Sequence, residues 1–150
     1  MKDLIIANIN DIPGVTTSRG ENNNFTVHAV IAPHEANKIS ASFVTVPPKN
    51  FAFGYHYHDQ VEEIFYVVKG EGSLRTYQGE KPVRAGDMLC FPTGEKGAHV
   101  LSNTSETEEL VFLDFGTKVA AEIVVLPDIN KMMIMGDHFP FTLMDMPATE

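Results

Sequence analysis

Short runs of β-branched and aromatic residues recur along the chain, and glycine, proline, asparagine and aspartate separate them. This rhythm is typical of β-sandwiches and barrels, and no stretch shows the periodicity of an amphipathic helix. Residues 1–24 and 126–150 have a looser pattern, which predicts loops and at most one edge strand near the N-terminus. We therefore expect an all-β fold, with strands at residues 25–31, 39–46, 55–58, 63–69, 72–77, 88–91, 98–103, 109–115 and 122–125.

The length and composition indicate one globular domain that spans residues 1–150. Hydrophobic residues make up 43% of the chain and charged residues 21%, which is the balance of a protein that buries a core. No linker, repeat or low-complexity tract divides the chain. The net charge of −9 argues against nucleic-acid and anionic-lipid partners, because both kinds of binding need a basic surface.

Cysteine use and the N-terminal sequence bear on the location of the protein. Cys90 is the single cysteine, so no intramolecular disulfide can form, which is typical of a reducing compartment. We expect its side chain to be a small buried hydrophobic group. The apolar run 4–7 is too short for a signal peptide, and no run reaches the roughly eighteen apolar residues of a transmembrane helix. The sequence predicts a cytoplasmic protein.

Histidines supply the first candidate chemistry. His56 and His58 lie two residues apart in a predicted strand, so their imidazoles project from the same face. Two imidazoles at that separation can share one metal ion, at metal–nitrogen distances of about 2.0–2.1 Å. The alternative interpretation is a pair of solvent-facing polar residues on an alternating strand.

Two adjacent glutamates at the head of the next strand are positioned to add a carboxylate. In an unbroken strand Glu62 would share the face of the histidines and Glu63 would not. Asp59 and Gln60 have the composition of a turn or bulge, however, and such a turn would reset the register. Alternation alone leaves the choice between the two glutamates open, and either one could instead be a charge that blunts a sheet edge.

A third candidate ligand, His99, follows about forty residues later. Residues 86–103 predict a strand, a turn rich in proline and glycine, and a second strand that begins near His99. The separation in sequence is no obstacle to contact, because antiparallel sheets bring such strands together.

With these residues the chain resembles the cupin superfamily. The first cupin motif has the spacing H-x-H-x4-E-x6-G, which fits His56, His58, Glu63 and Gly70, although Asn50 stands where the motif opens with glycine. The spacing to Gly70 selects Glu63 over Glu62. The second motif, G-x5-P-x-G-x2-H-x3-N, is fitted by Gly86, Pro92, Gly94, His99 and Asn103. Four residues instead of two separate Gly94 from His99, and we expect this insertion to lengthen the turn without removing the ligand.

The resemblance implies a double-stranded β-helix, or jelly roll (a cupin β-barrel), with a core at residues 25–126 and extensions at both ends. It further implies that His56, His58, Glu63 and His99 bind one divalent first-row metal ion, from among Fe, Mn, Ni, Co, Cu and Zn. Four protein ligands leave two positions of an octahedron open for water, substrate or dioxygen. Because three ligands are histidines with an ordinary pKa of about 6.5, metal binding is expected to weaken as the pH falls through that region.

The function that follows is that of a metalloenzyme acting on a small polar organic molecule, with oxygenase- or isomerase-type chemistry. The alternatives are a binding or sensor module without turnover and a structural protein without metal. An isomerase or lyase needs a general base, and no second carboxylate or histidine is clearly placed inside the barrel. By resemblance to small cupins, a homodimer is expected.

Three further features have ordinary interpretations. Arg75 and Tyr77 share a face of their strand and could line the mouth of the barrel, although exposure to solvent is favoured for arginine. His28 is expected to be a surface or hydrogen-bonded histidine. The methionine-rich tail at residues 132–146 is expected to fill gaps in the core or in a subunit interface.

Overall fold

A computed structural model describes residues 3–36 and 38–147. Its strands are β1 (Val15–Ser18), β2 (Asn24–Ile31), β3 (Ile39–Val46), β4 (Tyr57–His58), β5 (Glu63–Lys69), β6 (Glu71–Thr76), β7 (Gly79–Arg84), β8 (Met88–Phe91), β9 (His99–Asn103), β10 (Leu110–Thr117), β11 (Ala121–Leu126), β12 (Lys131–Gly136) and β13 (Phe139–Asp145). Two short 3-10 helices, Glu95–Gly97 and Pro127–Ile129, accompany them. The part of the chain that the structure describes has no helix with the length and hydropathy that a transmembrane span requires.

The strands form two facing antiparallel layers. One layer is a six-stranded sheet with the order β1-β2-β3-β10-β5-β8. The other contains a four-stranded sheet, β13-β12-β11-β4, and a three-stranded sheet, β7-β6-β9. A backbone bridge between His56 and His99 connects these two smaller sheets. The protein therefore has the all-β jelly-roll fold that the sequence predicts.

The core lies between the layers and ends abruptly in polar side chains. On β5, β9 and β10 the fully buried apolar side chains include Phe65, Leu101 and Phe112. Two residues from each of these, on the same face, the inward positions are polar: Glu63 and His99 precede Phe65 and Leu101, and Asp114 follows Phe112. The alternation that builds the apolar core thus also carries ionisable groups to one end of it.

The predicted strands between residues 25 and 126 match the structure within a few residues, and β1 is the expected N-terminal edge strand. Strand β7 was not predicted, because it is an edge strand with a proline and only one buried side chain, Val83. The expectation of a loose C-terminal segment was wrong. Strands β12 and β13 form a hairpin that pairs with β11, and its half-buried methionines gave no alternating pattern.

The expectation that Cys90 is buried was also wrong. Cys90 is exposed and lies opposite Ile64, which faces outward from β5. On β8 the buried position is Phe91, so alternation places Cys90 on the outer face. Periodicity here is a better guide than the general tendency of cysteine to be buried.

Candidate metal centre

The candidate ligands converge at the polar end of the barrel. His56, His58 and Glu63 each present a ligand atom, and these atoms lie within 4.8 Å of one another. His99 lies beside them, with its Nε2 3.2 Å from Oε2 of Glu63, while Nε2 of His58 is 3.6 Å from the same oxygen. Atoms bound to one octahedral ion at about 2.1 Å stand about 3.0 Å apart when adjacent and about 4.2 Å apart when opposite. The distances from Oε2 of Glu63 to the rings of His58 and His99 fall within this range.

Two of the histidines have their tautomer fixed by backbone carbonyls. Nδ1 of His56 donates a hydrogen bond to the carbonyl oxygen of Gly54 at 2.8 Å, and Nδ1 of His99 donates one to Gly97 at 2.8 Å. A neutral ring that donates through Nδ1 has its lone pair on Nε2. The backbones of His56 and His99 pair through hydrogen bonds of 3.0 and 2.9 Å, which places the two rings side by side with their centroids 4.6 Å apart.

The insertion before His99 forms the short 3-10 helix Glu95–Gly97, so the longer turn predicted from the second motif is present. Gly97 packs directly on the carbonyl of Pro92, where a Cβ atom would stand 1.8 Å from the oxygen. The ring of His99 stacks on Phe91, with centroids 3.6 Å apart and an interplanar angle of 12°. The turn and this stacking therefore hold His99 in one orientation.

The register of β5 explains which glutamate faces the histidines. Glu63 is buried with Phe65, whereas Glu62 is exposed, so the chain does change register after His58 as the turn at residues 59–60 predicted. A buried carboxylate holds that turn. Oε1 of Glu122 accepts the backbone N–H of Asp59 at 2.8 Å, and both its oxygens lie 3.2 Å from the N–H of Gln60.

Sequence reasoning missed two carboxylates inside the barrel, and the expectation that none is placed there was wrong. Asp114 faces inward from β10 and lines the same cavities as Glu63, and the interaction between the two carboxyl groups shifts the pKa of each. Glu122 faces inward from β11, with Oε1 3.9 Å from Nδ1 of His58. The signal was available in both strands, since each acidic residue shares its alternating face with buried apolar residues such as Phe112 and Val124.

Burial sets the charge state of the cluster. It lowers the pKa of His56 and of His58 to about 3, with a further contribution from the neighbouring histidines, and it lowers the pKa of His99 to about 4. Burial raises the pKa of Glu63 to about 7, although the interaction with Asp114 opposes the rise. The pKa of Asp114 is raised well above its ordinary value by burial and by the charge of Glu63. At neutral pH the three rings are neutral and present free lone pairs.

The residues fit a metal ion because their polar atoms are otherwise unsatisfied. Among the described residues, the buried side-chain atoms without a hydrogen-bond partner include both ring nitrogens of His58, Oε2 of Glu63 and Nε2 of His99. Buried polar atoms are normally hydrogen-bonded, and leaving one unpaired costs about 1–3 kcal/mol. Several such atoms pointing at one another are explained by a shared cation.

Two cavities meet at this cluster. One has a volume of about 330 Å³ and reaches His58, Glu63 and Asp114 from the side of Lys118 and Asp137. The other, of about 230 Å³, reaches the same three residues and also touches His56. Its remaining lining comes from the β1–β2 hairpin, the segment between β3 and β4, β11 and the β12–β13 hairpin, namely Arg19, Phe53, Val124, Leu126, Met133, Met135 and Phe141. The C-terminal hairpin thus forms part of the wall of the site.

Other polar residues from the sequence lie away from the cluster. Arg75 is exposed and forms a bidentate ion pair with Asp128 at 2.7 and 2.9 Å, which confirms the preference for solvent exposure. Tyr77 is likewise exposed. His28 is hydrogen-bonded through Nδ1 to the carbonyl oxygen of Ile12 at 2.9 Å, as expected.

The fold and the cluster define a class of protein, a small jelly roll with histidine and glutamate side chains gathered at one end of the barrel. Residues 42–116, half of the chain, match the family described as the cupin domain. The chain belongs to the cupin family.

Individual relatives show how far the similarity extends. An oxalate-binding protein of Thermotoga maritima is 33% identical over 61 residues, or 41% of this chain and 49% of the relative. A "Probable oxalate decarboxylase" of Arthroderma benhamiae is 38% identical over 64 residues, or 39% of this chain and 15% of the relative. The match therefore spans about half the length of one curated relative and much less of the other.

A solved structure shares the fold over nearly the whole chain. The crystal structure of a sugar phosphate isomerase of the cupin superfamily from Silicibacter pomeroyi has a TM-score of 0.80 and 22% sequence identity. The match covers 95% of each chain. It shows that the β1–β2 hairpin and the C-terminal hairpin belong to a shared architecture.

Proposed function

We propose that this cupin is a metal-dependent enzyme that acts on a small polar organic molecule. The metal site consists of His56, His58, Glu63 and His99, and it binds one divalent first-row ion. The observation that carries the proposal is the group of unpartnered ligand atoms at the base of two open cavities. A structural metal site is closed by protein ligands, whereas a catalytic site keeps a position open to the substrate.

The ligand set narrows the metal to a class. Neutral imidazoles with one carboxylate suit Fe, Mn, Ni, Co, Cu or Zn as divalent ions, and no thiolate is present to select a softer metal. A bound ion of this class supplies Lewis acidity or redox chemistry at its open positions. The protein contributes neutral ring nitrogens on His56 and His99, since backbone carbonyls hold their Nδ1 protons.

Asp114 supplies an acid–base group that the sequence did not place in the site. Its carboxyl interacts with that of Glu63 and lines both cavities, so a molecule bound in either cavity lies beside it. A buried carboxylic acid with a raised pKa can hold a proton at neutral pH and exchange it with a bound molecule. Isomerase-type chemistry needs such a group near the substrate, because it moves a proton.

The second candidate is a binding or sensor module that holds a small ligand without turnover. It is favoured by the similarity to the Thermotoga maritima relative, whose name describes oxalate binding rather than catalysis. In that case Asp114 would serve only to hold Glu63 in place.

Metal content is the first test. Protein purified without chelators is expected to contain about one first-row divalent ion per chain, measured by inductively coupled plasma mass spectrometry. His58→Ala should reduce the content to background while leaving a β-type circular dichroism spectrum. His28→Ala is the matched control, because His28 lies away from the cluster. Full metal occupancy in the His58 variant would show that His58 is not a metal ligand.

Turnover is the second part of the same test. The protein is reconstituted anaerobically with Fe(II), and oxygen uptake is then screened over small diols, thiols and keto acids. Metal-dependent consumption of one of these compounds is the expected result. A protein that is fully loaded with metal but inert across the panel would favour the binding module.

We also propose that two copies of the chain associate through the outer face of the six-stranded sheet. The support is a contiguous exposed apolar patch on β5, β8 and β10, formed by Ile64, Tyr66, Val68, Met88 and Phe115. Exposed patches of this kind mark interaction surfaces. Sedimentation equilibrium that gave only the 16.6 kDa monomer at micromolar concentration would contradict the dimer.

The single cysteine and the acidic charge support a cytoplasmic protein without nucleic-acid or membrane partners.

A further inference from the structure

An arginine side chain, Arg19, lines the smaller cavity at the candidate metal centre, and it is not one of the candidate metal ligands. Arg19 lies at the tip of the β1–β2 hairpin, where its backbone N–H donates to the carbonyl oxygen of Asn23 at 3.0 Å. Its side chain lines the same cavity as His56 and Glu63. The hairpin thus brings a positive charge from the N-terminal segment to a cavity whose other lining residues lie between positions 53 and 141.

A ladder of aromatic rings locates Arg19 relative to the cluster. The guanidinium carbon of Arg19 is 5.7 Å from the centroid of Phe25, within the range of a cation–π contact. The ring of Phe25 lies 4.7 Å from that of Phe53, and Phe53 lies 6.2 Å from His56. Arg19 therefore stands at the outer end of a wall that has His56 at its inner end. The charge of Arg19 also contributes to the lowered pKa of His56.

Arg19 has no acidic partner among the described residues, which separates it from the other cations around the barrel mouth. Lys118, at the larger cavity, is paired with Asp137, and Lys131 is paired with Asp145. No ion pair or side-chain hydrogen bond of Arg19 is found in residues 3–36 and 38–147. In a chain with a net charge of −9, an unpaired arginine at the mouth of a cavity is available to an anion.

Apart from Arg19 and the ionisable side chains His56, His58, Glu63 and Asp114, the cavity wall is apolar. The apolar lining from β11 and the C-terminal hairpin consists of Val124, Leu126, Met133, Met135 and Phe141. Methionine and aromatic side chains favour contact with a hydrocarbon or ring of the ligand. The volume of about 230 Å³ fits a small organic acid, given that a water molecule occupies about 30 Å³ in the liquid.

We propose that Arg19 is the anion-binding residue of this site and that the ligand is a small monocarboxylate with an apolar body. The carboxylate pairs with the Arg19 guanidinium, the apolar body lies against Met133, Met135 and Phe141, and the opposite end of the molecule faces the cluster. This inference rests on the proposed function only in placing the reacting end of the ligand. The pairing with Arg19 is inferred from the residues that line the cavity and does not depend on a bound metal ion.

The probes are phenylacetate, its neutral amide phenylacetamide, and acetate, titrated by isothermal calorimetry into the protein as purified and after chelator treatment. Phenylacetate is expected to bind at least tenfold more tightly than phenylacetamide, because only the acid pairs with a cation, and more tightly than acetate, because only the ring reaches the apolar wall. Arg19→Met should weaken phenylacetate binding at least tenfold. Arg84→Met is the matched control: it removes an exposed arginine on β7 and should change affinity less than twofold.

Arg19→Lys keeps the charge and should retain part of the affinity, and the melting temperature of each variant reports whether the fold is intact. The inference is overturned if Arg19→Met binds phenylacetate as Arg84→Met does, if acid and amide bind equally, or if the wild-type protein binds none of the probes. Metal content is measured on the same samples. A chain that contains no metal yet binds phenylacetate through Arg19 would contradict the proposed function alone.

Discussion

Glu63→Gln is expected to weaken metal binding at least tenfold, whereas Glu62→Gln should leave it nearly unchanged. Glu63 is buried, and its Oε2 lies within 3.6 Å of Nε2 atoms of both His58 and His99 without a hydrogen-bond partner. Glutamine has nearly the same shape but lacks the negative charge that offsets the charge of a divalent ion. Glu62 is exposed, on the opposite face of the chain.

The measurement is competition for Zn(II) with a chromophoric chelator at pH 7.5. The two variants carry the same chemical change at adjacent positions of the chain, so each controls for the other. Equal losses in both variants would mean that surface charge, and not ligation, governs the affinity. A larger loss at Glu62 would mean that the inward-facing carboxylate at the head of β5 does not bind the ion.

The reason that Glu63 could be identified from the sequence is local. A turn at Asp59 and Gln60 was visible in the composition, and the spacing to Gly70 in the cupin motif that the chain resembles then selected Glu63 from the pair. The structure adds the cause, because Glu122 accepts the backbone N–H groups of this turn from a distance of more than sixty residues in sequence. A pattern within one segment can indicate that the register changes, but it does not name the distant residue that holds the change.

Asp114 and Arg19 show two different limits of the sequence. Asp114 shares a face with Phe112 on a predicted strand, so alternation was sufficient to place it inside, and the general rule that carboxylates are exposed concealed it. Arg19 had no such signal. Its position in the cavity depends on the β1–β2 hairpin packing beside Phe53, and tertiary contacts of that kind leave no periodic trace in a segment of four residues.

The C-terminal hairpin is the part of the fold that was least accessible to prediction. Strands β12 and β13 have few β-branched residues, and the side chains of β12 are all half-buried rather than alternately buried and exposed. The hairpin is held by pairing with β11 and by methionines that fill the cavity wall. Methionine adapts to irregular gaps, so its presence indicates contact without indicating geometry.

Metal affinity is expected to fall by about 25-fold between pH 7.5 and pH 5.5, which corresponds to about 1.9 kcal/mol of binding free energy. The sequence predicted that protons would compete with the metal ion for the histidines, at the ordinary histidine pKa of about 6.5. In the folded protein the group at which protons compete with the metal ion is Glu63 and not the histidines. Burial lowers the pKa of His56 and His58 to about 3, so both rings are already neutral at pH 5.5. Burial raises the pKa of Glu63 to about 7, so this carboxyl must lose a proton before it binds a metal ion.

The direction and the steepness of the effect both follow from the raised pKa of Glu63. Above pH 7 the carboxyl is ionised and affinity is constant; below pH 7 one proton is released per ion bound, and affinity falls about tenfold per pH unit. Three histidines titrating at about 6.5 would instead give about a thousandfold loss between pH 7.5 and pH 5.5. Chelator competition at pH 5.5, 6.5 and 7.5 separates a slope near one proton from a slope near three.

In Glu63→Gln the metal affinity is expected to be lower at every pH, and the slope below pH 7 is expected to vanish. A slope that persists in this variant would show that another group, such as the Asp114 carboxyl, takes up the competing proton.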